Sequence, residues 1–105
     1  MRRVRKIKLK EDIVLQSKFR IAETVTFLKE MKKTEYTMLY KKIKEYVYPI
    51  LKRNPYYGPN IKRLKGKYSE FYRFRIRDYR LFYTIDNEEI IIFIITIKHR
   101  KDAYE

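Results

Sequence analysis

The segment YRFRIRDYRLFY, residues 72–83, decides the fold, because aromatic and aliphatic side chains alternate with arginines at a period of two over residues 72–77. Such alternation is typical of a β-strand with one buried face and one exposed face. This run ends at Arg77 and Asp78, where a two-residue turn would reverse the chain into a second strand. The segment therefore predicts an antiparallel β-hairpin.

The register set by this turn would place Arg75 directly opposite Arg80, and Arg73 opposite Phe82. Like charges that face each other across two strands destabilise a sheet by roughly several tenths of a kcal/mol. Fold stability gives no reason to keep them, so we expect an anionic ligand between them. Arginine suits phosphate in this role, because its planar guanidinium binds two phosphate oxygens at once. The opposite, core-facing side of the hairpin would carry Tyr72, Phe74, Ile76, Tyr79, Leu81 and Tyr83.

Two helices are predicted before the hairpin, from apolar side chains that recur at helical spacing. A short first helix begins at Thr24, and a second begins at Thr34, which occupies the N-cap position. Pro49 would remove a hydrogen bond inside the second helix, so we expect a kink or an early end there. The apolar faces would carry Val25, Phe27, Leu28 and Met31 in the first helix and Leu39, Ile43, Tyr46, Val47, Ile50 and Leu51 in the second.

Two further strands complete the predicted sheet. Residues 18–23 form a short strand, and the apolar run at 90–97 follows a second turn at 86–89. Because that run is apolar on both faces, we expect it inside the sheet. Residues 54–60 contain two prolines and one glycine and form a loop. The predicted class is α+β: a mainly antiparallel, twisted sheet of four strands, or five with an extra N-terminal one, and a two-helix hairpin on one face.

The length of 105 residues allows one compact domain. We assign this domain to residues 18–105, preceded by a basic N-terminal arm or extra strand over 1–17. The chain has 27 lysines and arginines against 13 acidic residues, a formal net charge of +14. This excess is larger than solubility requires and indicates a polyanionic partner, nucleic acid ahead of an anionic membrane surface.

Several classes of protein are excluded by composition. With no cysteine and one histidine, the chain has no disulfide framework and no Cys/His zinc site, and we expect no cofactor. The longest apolar run, 90–97, is far shorter than the about 20 residues that span a membrane. The basic N-terminus lacks the apolar segment of a signal peptide. We therefore expect a cytoplasmic protein that does not bind membranes.

The second hairpin would place Phe93 and Ile95 on the same face as Arg80, so that the arginines stand on an apolar floor. Such a floor lowers the local dielectric and strengthens the stabilisation of a phosphorane-like transition state. The last strand continues into HRKDAY, residues 99–104, at the edge of this face. The candidate catalytic residues are Arg73, Arg75, Arg80, His99, Arg100 and Tyr104.

The runs RLKG at 63–66, YRFRIRDYRLFY at 72–83 and HRKDAY at 99–104 together resemble the RelE/ParE superfamily of type II toxin-antitoxin toxins. The RelE-like mRNA endoribonuclease branch is the closer match, and the resemblance covers residues 18–104. It implies a small α+β ribonuclease that needs no metal and acts on mRNA at the ribosome by 2′-hydroxyl attack on the adjacent phosphate. The implied partners are an acidic cognate antitoxin, mRNA and the ribosome, with operator DNA bound only through the toxin-antitoxin complex.

The resemblance also implies roles for single residues. Arg73 and Arg75 fall at the basic positions of the first hairpin strand, and Arg80 falls at the phosphate-binding arginine. Arg100 falls at the position of the general acid, and Tyr104 at the terminal aromatic that stacks on or orients a base. The residues expected to track the RNA backbone are Lys62, Arg63, Lys65, Lys67 and Arg77.

Two features of the chain depart from the family pattern. Arg77 replaces the glycine that the family commonly has at the hairpin turn. Arginine at position 73 is a poor general base, because a guanidinium keeps its proton. Proton abstraction would then fall to His99 or Tyr104, or catalysis would depend on positioning and charge stabilisation alone.

Two other functions stay open at this point. A ParE-like toxin would inhibit DNA gyrase without being a nuclease, although such chains generally lack the basic and His/Tyr set seen here near the C-terminus. A catalytically inactive RNA-binding module would use the same basic surface for affinity alone.

Overall fold

The sheet has five strands in a computed structural model that describes residues 18–103. Their spatial order is β1-β5-β4-β3-β2, so β4 is central and the apolar β5 is internal, as predicted. The strands are β1 (Arg20–Glu23), β2 (Ile61–Arg63), β3 (Tyr72–Ile76), β4 (Tyr79–Asp86) and β5 (Ile91–His99).

The α+β prediction is confirmed, with two differences in the sheet. The strand β1 pairs with β5 in parallel, so the sheet is mixed. The fifth strand is β2, which is paired antiparallel with β3 over only three residues. A segment this short shows no alternation in its sequence, so its strand conformation depends on pairing with β3. The predicted arm or extra strand at 1–17 lies outside the described residues.

The helices lie on one face of the sheet, as predicted. Thr24 caps the first helix, because its hydroxyl accepts a hydrogen bond from the Phe27 N–H. The second helical segment starts with a 3₁₀ turn at Thr34–Tyr36, and Lys33, which has no capping side-chain hydrogen bond, precedes it in place of the predicted Thr34 cap. The helices are α1 (Val25–Met31), α2 (Thr37–Lys42), a π-helical turn (Ile43–Val47) and α3 (Tyr48–Arg53), the last three being continuous over 37–53.

The early end that was one of the two outcomes predicted at Pro49 is wrong, because the helix continues to Arg53. The helix is irregular directly before the proline, where it forms a π-helical turn. The π-helical turn accommodates the proline: the Tyr48 N–H donates to the Ile43 carbonyl, five residues back. This turn widens the helix directly before Pro49, and Pro49 then lies in the first turn of α3, where a missing N–H is tolerated.

The π-helical turn also changes which side chains of the long helix face the sheet. Ile43, Val47 and Leu51 are buried as predicted, but Tyr46 is 62% exposed and Ile50 is 39% exposed. Tyr48 is buried instead, because the extra residue in the turn shifts the helical phase by about one position.

In α1 only half of the predicted apolar stripe is buried. Phe27 and Met31 contact the core, whereas Val25 is 68% exposed and Leu28 is 37% exposed. The helix is only seven residues long and packs against β5. Its contact with the core therefore involves only about one helical turn.

The core lies between the helices and the inner face of the sheet. Glu23 at the end of β1 connects the two layers, since its carboxylate accepts hydrogen bonds from the Tyr40 hydroxyl at 2.9 Å and the Tyr48 hydroxyl at 2.8 Å. Burial, together with this carboxylate, raises the pKa of Tyr40 to about 12 and also raises the pKa of Tyr48. The fully or almost fully buried residues include Phe27, Ile43, Leu51, Leu81, Tyr83, Ile92 and Ile94.

None of the helices between residues 18 and 103 combines the length and the apolar character that crossing a membrane requires.

Candidate functional site

The β3–β4 hairpin has the predicted register. Arg75 lies directly opposite Arg80, and Arg73 lies directly opposite Phe82. The turn is formed by Arg77 and Asp78, and Arg77 has a positive φ of 53°. We use "outer face" for the side of the sheet turned away from the helices, which carries these arginines and Phe82.

The β4–β5 pairing contains a β-bulge that the sequence did not predict. Phe82 lies opposite Thr96, but its neighbour Tyr83 lies opposite Ile94, so Ile95 is an extra residue in β5. An extra residue reverses which side chains of a strand point to each face. Beyond the bulge, Lys98 therefore lies directly opposite Arg80 on the outer face.

Two polar residues, the α1 N-cap Thr24 and Glu30 inside α1, contact the bulge. The Thr24 hydroxyl contacts two carbonyl oxygens of β5, those of Ile94 at 2.7 Å and Ile95 at 3.1 Å. The Glu30 carboxylate accepts hydrogen bonds from the Thr96 hydroxyl at 2.6 Å and from the Ile97 N–H at 3.0 Å. These groups lie beyond the end of β1, so they satisfy the β5 edge where it has no neighbouring strand.

Three cations consequently lie side by side across three strands. Arg75 on β3 is opposite Arg80 on β4, which is opposite Lys98 on β5. Neighbouring strands are about 4.8 Å apart, so the row spans about 10 Å. We call Arg75, Arg80 and Lys98 the cation row.

The two arginines nearest to Phe82 are oriented by backbone carbonyl groups. Arg73 is only 6% exposed, and its Nη1 donates to the Asn60 carbonyl oxygen at 2.8 Å. The Arg80 Nη1 donates to the Arg77 carbonyl oxygen at 3.0 Å and the Tyr79 carbonyl oxygen at 3.1 Å. These bonds limit the conformations of both guanidinium groups before any ligand binds.

The predicted apolar floor exists as a groove beside the cation row. The groove has a volume of about 410 Å³, and Phe82 and Ile95 line it. Phe93 lies opposite Thr84, farther along the same outer face. We call this feature the apolar groove; its apolar lining consists of Leu64, Tyr68, Phe71, Phe82, Ile95 and Ala103, and Thr96, Lys98 and Asp102 complete it.

His99 does not join the arginines, contrary to the expected constellation. It lies opposite Tyr79, and the two rings are in edge contact at 5.4 Å. Tyr79 in turn contacts Tyr36 of the helical layer, so His99 lies on the helix side of the sheet. The His99 Nδ1 accepts a hydrogen bond from the Lys101 N–H and thereby caps the 3₁₀ turn Arg100–Asp102. This geometry gives His99 a structural contact.

Arg100 lies at the tip of the β3–β4 hairpin. Its backbone N–H donates to the Asp78 carbonyl oxygen at 2.6 Å, and its Nε is 3.6 Å from the Asp78 carboxylate. The side chain is mostly exposed and stays available to a ligand at that end of the outer face. Tyr104 lies outside the described residues.

The residues expected to track RNA divide between surfaces. Lys62 lies opposite Arg73 on the outer face, and the Lys67 ammonium is 5.3 Å from the centre of the Tyr68 ring at the apolar groove. Arg63 lies on the helix side, where its guanidinium is 5.7 Å from the Tyr72 ring. Lys65 is exposed in the loop before the turn Gly66–Tyr68, and Arg77 is exposed at the hairpin tip.

Lys98 is the member of the site that sequence reasoning missed. Carrying the register through the second hairpin without a bulge assigns odd-numbered residues of β5 to the outer face, and Lys98 to the helix side. The sequence offered only indirect signals: a lysine near the end of a largely apolar strand, and two polar residues, Thr24 and Glu30, without an assigned partner.

Among residues 18–103, no group of three or more His, Asp or Glu side chains is placed to hold a metal ion.

Comparison with known proteins points to one family. Residues 21–104 match the sequence profile described as the ParE toxin of the type II toxin-antitoxin system. No curated protein matches the chain significantly in a sequence comparison.

Several solved structures share the fold. The toxin-antitoxin complex RelBE2 from Mycobacterium tuberculosis contains a chain that is 26% identical, with a TM-score of 0.65 over 78% of this chain and 98% of that one. The YoeB/ParE toxin from Agrobacterium tumefaciens is 19% identical, with a TM-score of 0.63 over 77% and 98%. The archaeal RelE–RelB complex from Pyrococcus horikoshii contains a chain that is 21% identical, with a TM-score of 0.59 over 82% and 99%.

Proposed function

Since the chain belongs to the ParE toxin family of type II toxin-antitoxin systems, we propose that it is a toxin that cleaves mRNA in the cytoplasm, in association with the ribosome. In the proposed reaction the ribose 2′-hydroxyl oxygen bonds to the adjacent phosphorus, and the bond from phosphorus to the 5′-oxygen breaks. The products are a cyclic phosphate and a free 5′-hydroxyl. A proton leaves the 2′-oxygen, and a proton is added to the departing 5′-oxygen.

The observation that carries this proposal is the cation row beside the apolar groove. In the transition state the charge on the non-bridging phosphate oxygens increases, and oriented cations stabilise it most strongly where water is excluded. Arg75, Arg80 and Lys98 would bind these oxygens or those of a neighbouring phosphate. Arg73, whose guanidinium is fixed by the Asn60 carbonyl, would bind from the apolar side.

We propose fewer residues for proton transfer than the sequence analysis left open. His99 lies on the helix side, and its Nδ1 already accepts the Lys101 N–H, so we do not assign it as the general base. Positioning of the 2′-hydroxyl and charge stabilisation at the phosphate therefore carry most of the proposed rate enhancement. Arg100, whose guanidinium keeps its proton, would stabilise the charge on the departing 5′-oxygen, which takes its proton from water. Tyr104 would orient a base, as the resemblance implies.

We also propose a cognate acidic antitoxin as the regulatory partner. The Mycobacterium tuberculosis and Pyrococcus horikoshii relatives were solved as complexes of toxin and antitoxin. This chain carries a formal charge of +14, and a cluster of like charges on its outer face suits an acidic segment that competes with RNA.

A second candidate function is inhibition of DNA gyrase. It is favoured by the family profile, which is that of ParE toxins rather than of ribonucleases. In that case the cation row would bind an acidic protein surface or DNA, and no RNA would be cut.

One experiment separates these functions. The purified protein is incubated with translating ribosomes, the mRNA ends are mapped and their chemistry is determined, and a gyrase supercoiling assay is run in parallel. New 5′-hydroxyl ends paired with cyclic phosphates support the endoribonuclease. Inhibited supercoiling with intact mRNA would replace it by the gyrase inhibitor, and RNA binding without either effect would leave an inactive RNA-binding module.

A further inference from the structure

The end of β5 is followed by a turn that brings the chain back to the outer face. The last residue of the strand, His99, lies on the helix side, and the 3₁₀ turn Arg100–Asp102 follows directly. Ala103, directly after the turn, lines the apolar groove on the outer face. Arg100, the first residue of the turn, lies beside Asp78 at the hairpin tip. The conformation of this turn therefore determines where Arg100 lies.

The turn is weakly stabilised by its own backbone. The bond that closes it, from the Ala103 N–H to the Arg100 carbonyl oxygen, is 3.5 Å long, which exceeds the usual range of about 2.7–3.2 Å. Three residues are also too few for helical cooperativity. The stronger contacts come from outside the turn: the Asp78 carbonyl accepts the Arg100 N–H at 2.6 Å, and the His99 Nδ1 accepts the Lys101 N–H at 3.2 Å. The turn therefore depends on these two acceptors.

The His99 imidazole is held in the orientation that this contact requires. The ring is half-buried and lies in edge contact with the Tyr79 ring directly opposite it, with ring centres 5.4 Å apart. Tyr79 is held in turn by edge contact with Tyr36 of the helical layer, at 5.7 Å. For Nδ1 to accept a hydrogen bond, the hydrogen of the neutral ring must be on Nε2. Packing on the helix side thus directs the free lone pair of Nδ1 towards the turn.

We propose that His99 is a positioning residue for Arg100, and that it acts as the acceptor that caps the turn. Without this acceptor the Lys101 N–H would be left to solvent, the turn would open more often, and Arg100 would leave the hairpin tip. His99 then contributes to the reaction through Arg100 and does not touch the substrate. The effect on cleavage rests on the proposed function, whereas the effect on the turn is independent of it.

Two substitutions separate the acceptor from the ring. His99→Phe keeps an aromatic ring against Tyr79 but has no acceptor, and His99→Asn has no ring but supplies an oxygen that is preferred at N-caps. Amide hydrogen exchange of the intact protein, measured by NMR, reports on the turn directly. In His99→Phe the amides of Arg100 and Lys101 should exchange about fivefold faster, as expected for a lost cap. In His99→Asn both rates should stay within about twofold of the wild type.

Asp86→Ala is the matched control, because the Asp86 carboxylate caps the turn before β5 in the same way, accepting the Glu88 N–H at 3.0 Å. It should speed exchange of the Glu88 amide and leave the Arg100 amide unchanged. Faster exchange of Lys101 alone in His99→Phe would overturn the proposal, since Arg100 would then stay at Asp78 without the cap. Equally fast exchange in His99→Asn and His99→Phe would also overturn it, because the ring and not the acceptor would be responsible.

Cleavage kinetics test the consequence for the reaction. His99→Phe should lower kcat about two- to fivefold with KM unchanged, because Arg100 is proposed to act on the departing oxygen only. In an Arg100→Gln background His99→Phe should have no further effect, and an equal loss in both backgrounds would overturn the positioning role.

The two proposals can fail separately. If His99→Phe speeds exchange of the Arg100 amide but the protein cuts no mRNA, the link from His99 to Arg100 stands and the nuclease proposal fails. If the protein cuts mRNA but exchange of the Arg100 amide is unchanged in His99→Phe, the nuclease proposal stands and the positioning role is overturned.

Discussion

Arg80 lies directly opposite Lys98 on one side and directly opposite Arg75 on the other, so three positive side chains cross three adjacent strands. Each like-charged pair costs the sheet roughly several tenths of a kcal/mol. The Arg80 guanidinium offsets part of that cost through hydrogen bonds to the carbonyl groups of Arg77 and Tyr79. The arrangement lowers the stability of the sheet and favours the binding of an anion.

Replacing Arg80 by alanine should therefore separate activity from stability. We expect Arg80→Ala to lower the mRNA cleavage rate at least about 100-fold, as loss of one oriented donor to a developing oxyanion typically does. The free energy of unfolding should change by less than about 1 kcal/mol, because a repulsive pair is removed together with the bonds at the hairpin tip. Cleavage assays and urea denaturation measure the two effects.

Arg53→Ala is the matched control for this change, since Arg53 is an exposed arginine at the end of α3, on the helix side. It should leave cleavage unchanged. Arg80→Lys should retain only part of the activity, because an ammonium cannot bind two phosphate oxygens as a planar fork does. Full activity in Arg80→Ala would exclude the cation row as the reaction site.

The first hairpin was predictable from sequence because its alternation allows one register only. A shift by one residue would move Phe74 and Leu81 to solvent and bury the arginines between them, so burial itself specifies the pairing. The two-residue turn at Arg77 and Asp78 then determines which residues face each other.

The bulge in β5 was not predictable in the same way. The strand is apolar on both faces. An apolar side chain of β5 therefore faces the core whether the strand keeps the register found before Ile95 or the one found after it. Contacts from Thr24 and Glu30, which are distant in sequence, decide the pairing. Sequence reasoning thus found the arginines of β3 and β4 but placed β5 one residue out of phase near its end.

The positive φ of Arg77 gives a second prediction. A φ of 53° at the first turn position is unfavourable for a residue with a Cβ atom, and glycine adopts it without cost. Arg77→Gly should raise the free energy of unfolding by about 1 kcal/mol, measured by urea denaturation. The same variant should bind RNA more weakly, with a salt slope reduced by about 0.7, if the charge at the hairpin tip contacts phosphate.

Arg77→Lys keeps both the charge and the Cβ atom and is the control for these effects. It should match the wild type in stability and in salt dependence. A destabilised Arg77→Gly protein would show that the arginine side chain contributes more to the turn than its backbone conformation costs.

The Tyr40 hydroxyl gives a prediction for the pH dependence of stability. Its pKa in the folded protein is about 12, against 10.0 for an unperturbed tyrosine. Above pH 10 the unfolded chain loses this proton while the folded protein keeps it, so ionisation favours unfolding. The contribution is fully present below pH 10 and is lost as the pH rises to about 12.

Urea midpoints at pH 9 and pH 11 measure this effect. Tyr40→Phe should lose less stability over that interval than the wild type does, because one ionisable phenol is removed. Tyr57→Phe is the control, since Tyr57 is 79% exposed, and it should show the wild-type pH dependence. Identical pH dependence in Tyr40→Phe and wild type would mean that neither burial nor the bond to Glu23 raises the pKa of Tyr40.

Glu30 connects the stability of the fold to the position of Lys98, and this connection gives the last prediction. Its carboxylate accepts hydrogen bonds from the Ile97 N–H and from the Thr96 hydroxyl at the bulge. The Ile97 side chain is only 4% exposed. Glu30→Ala leaves both donors without this acceptor and should lower the free energy of unfolding by about 2 kcal/mol. The bulge would then lose the contact that favours its register, and Lys98 would lie less often on the outer face.

RNA binding by Glu30→Ala should therefore weaken by at most the factor seen in Lys98→Gln, with no larger loss of salt dependence, although Glu30 itself is on the helix side. The double variant should bind no more weakly than Lys98→Gln alone, because the two changes act on the same contact. Glu45→Ala removes an exposed carboxylate from the π-helical turn and should alter neither property. Additive losses in the double variant would show that Glu30 does not act through Lys98.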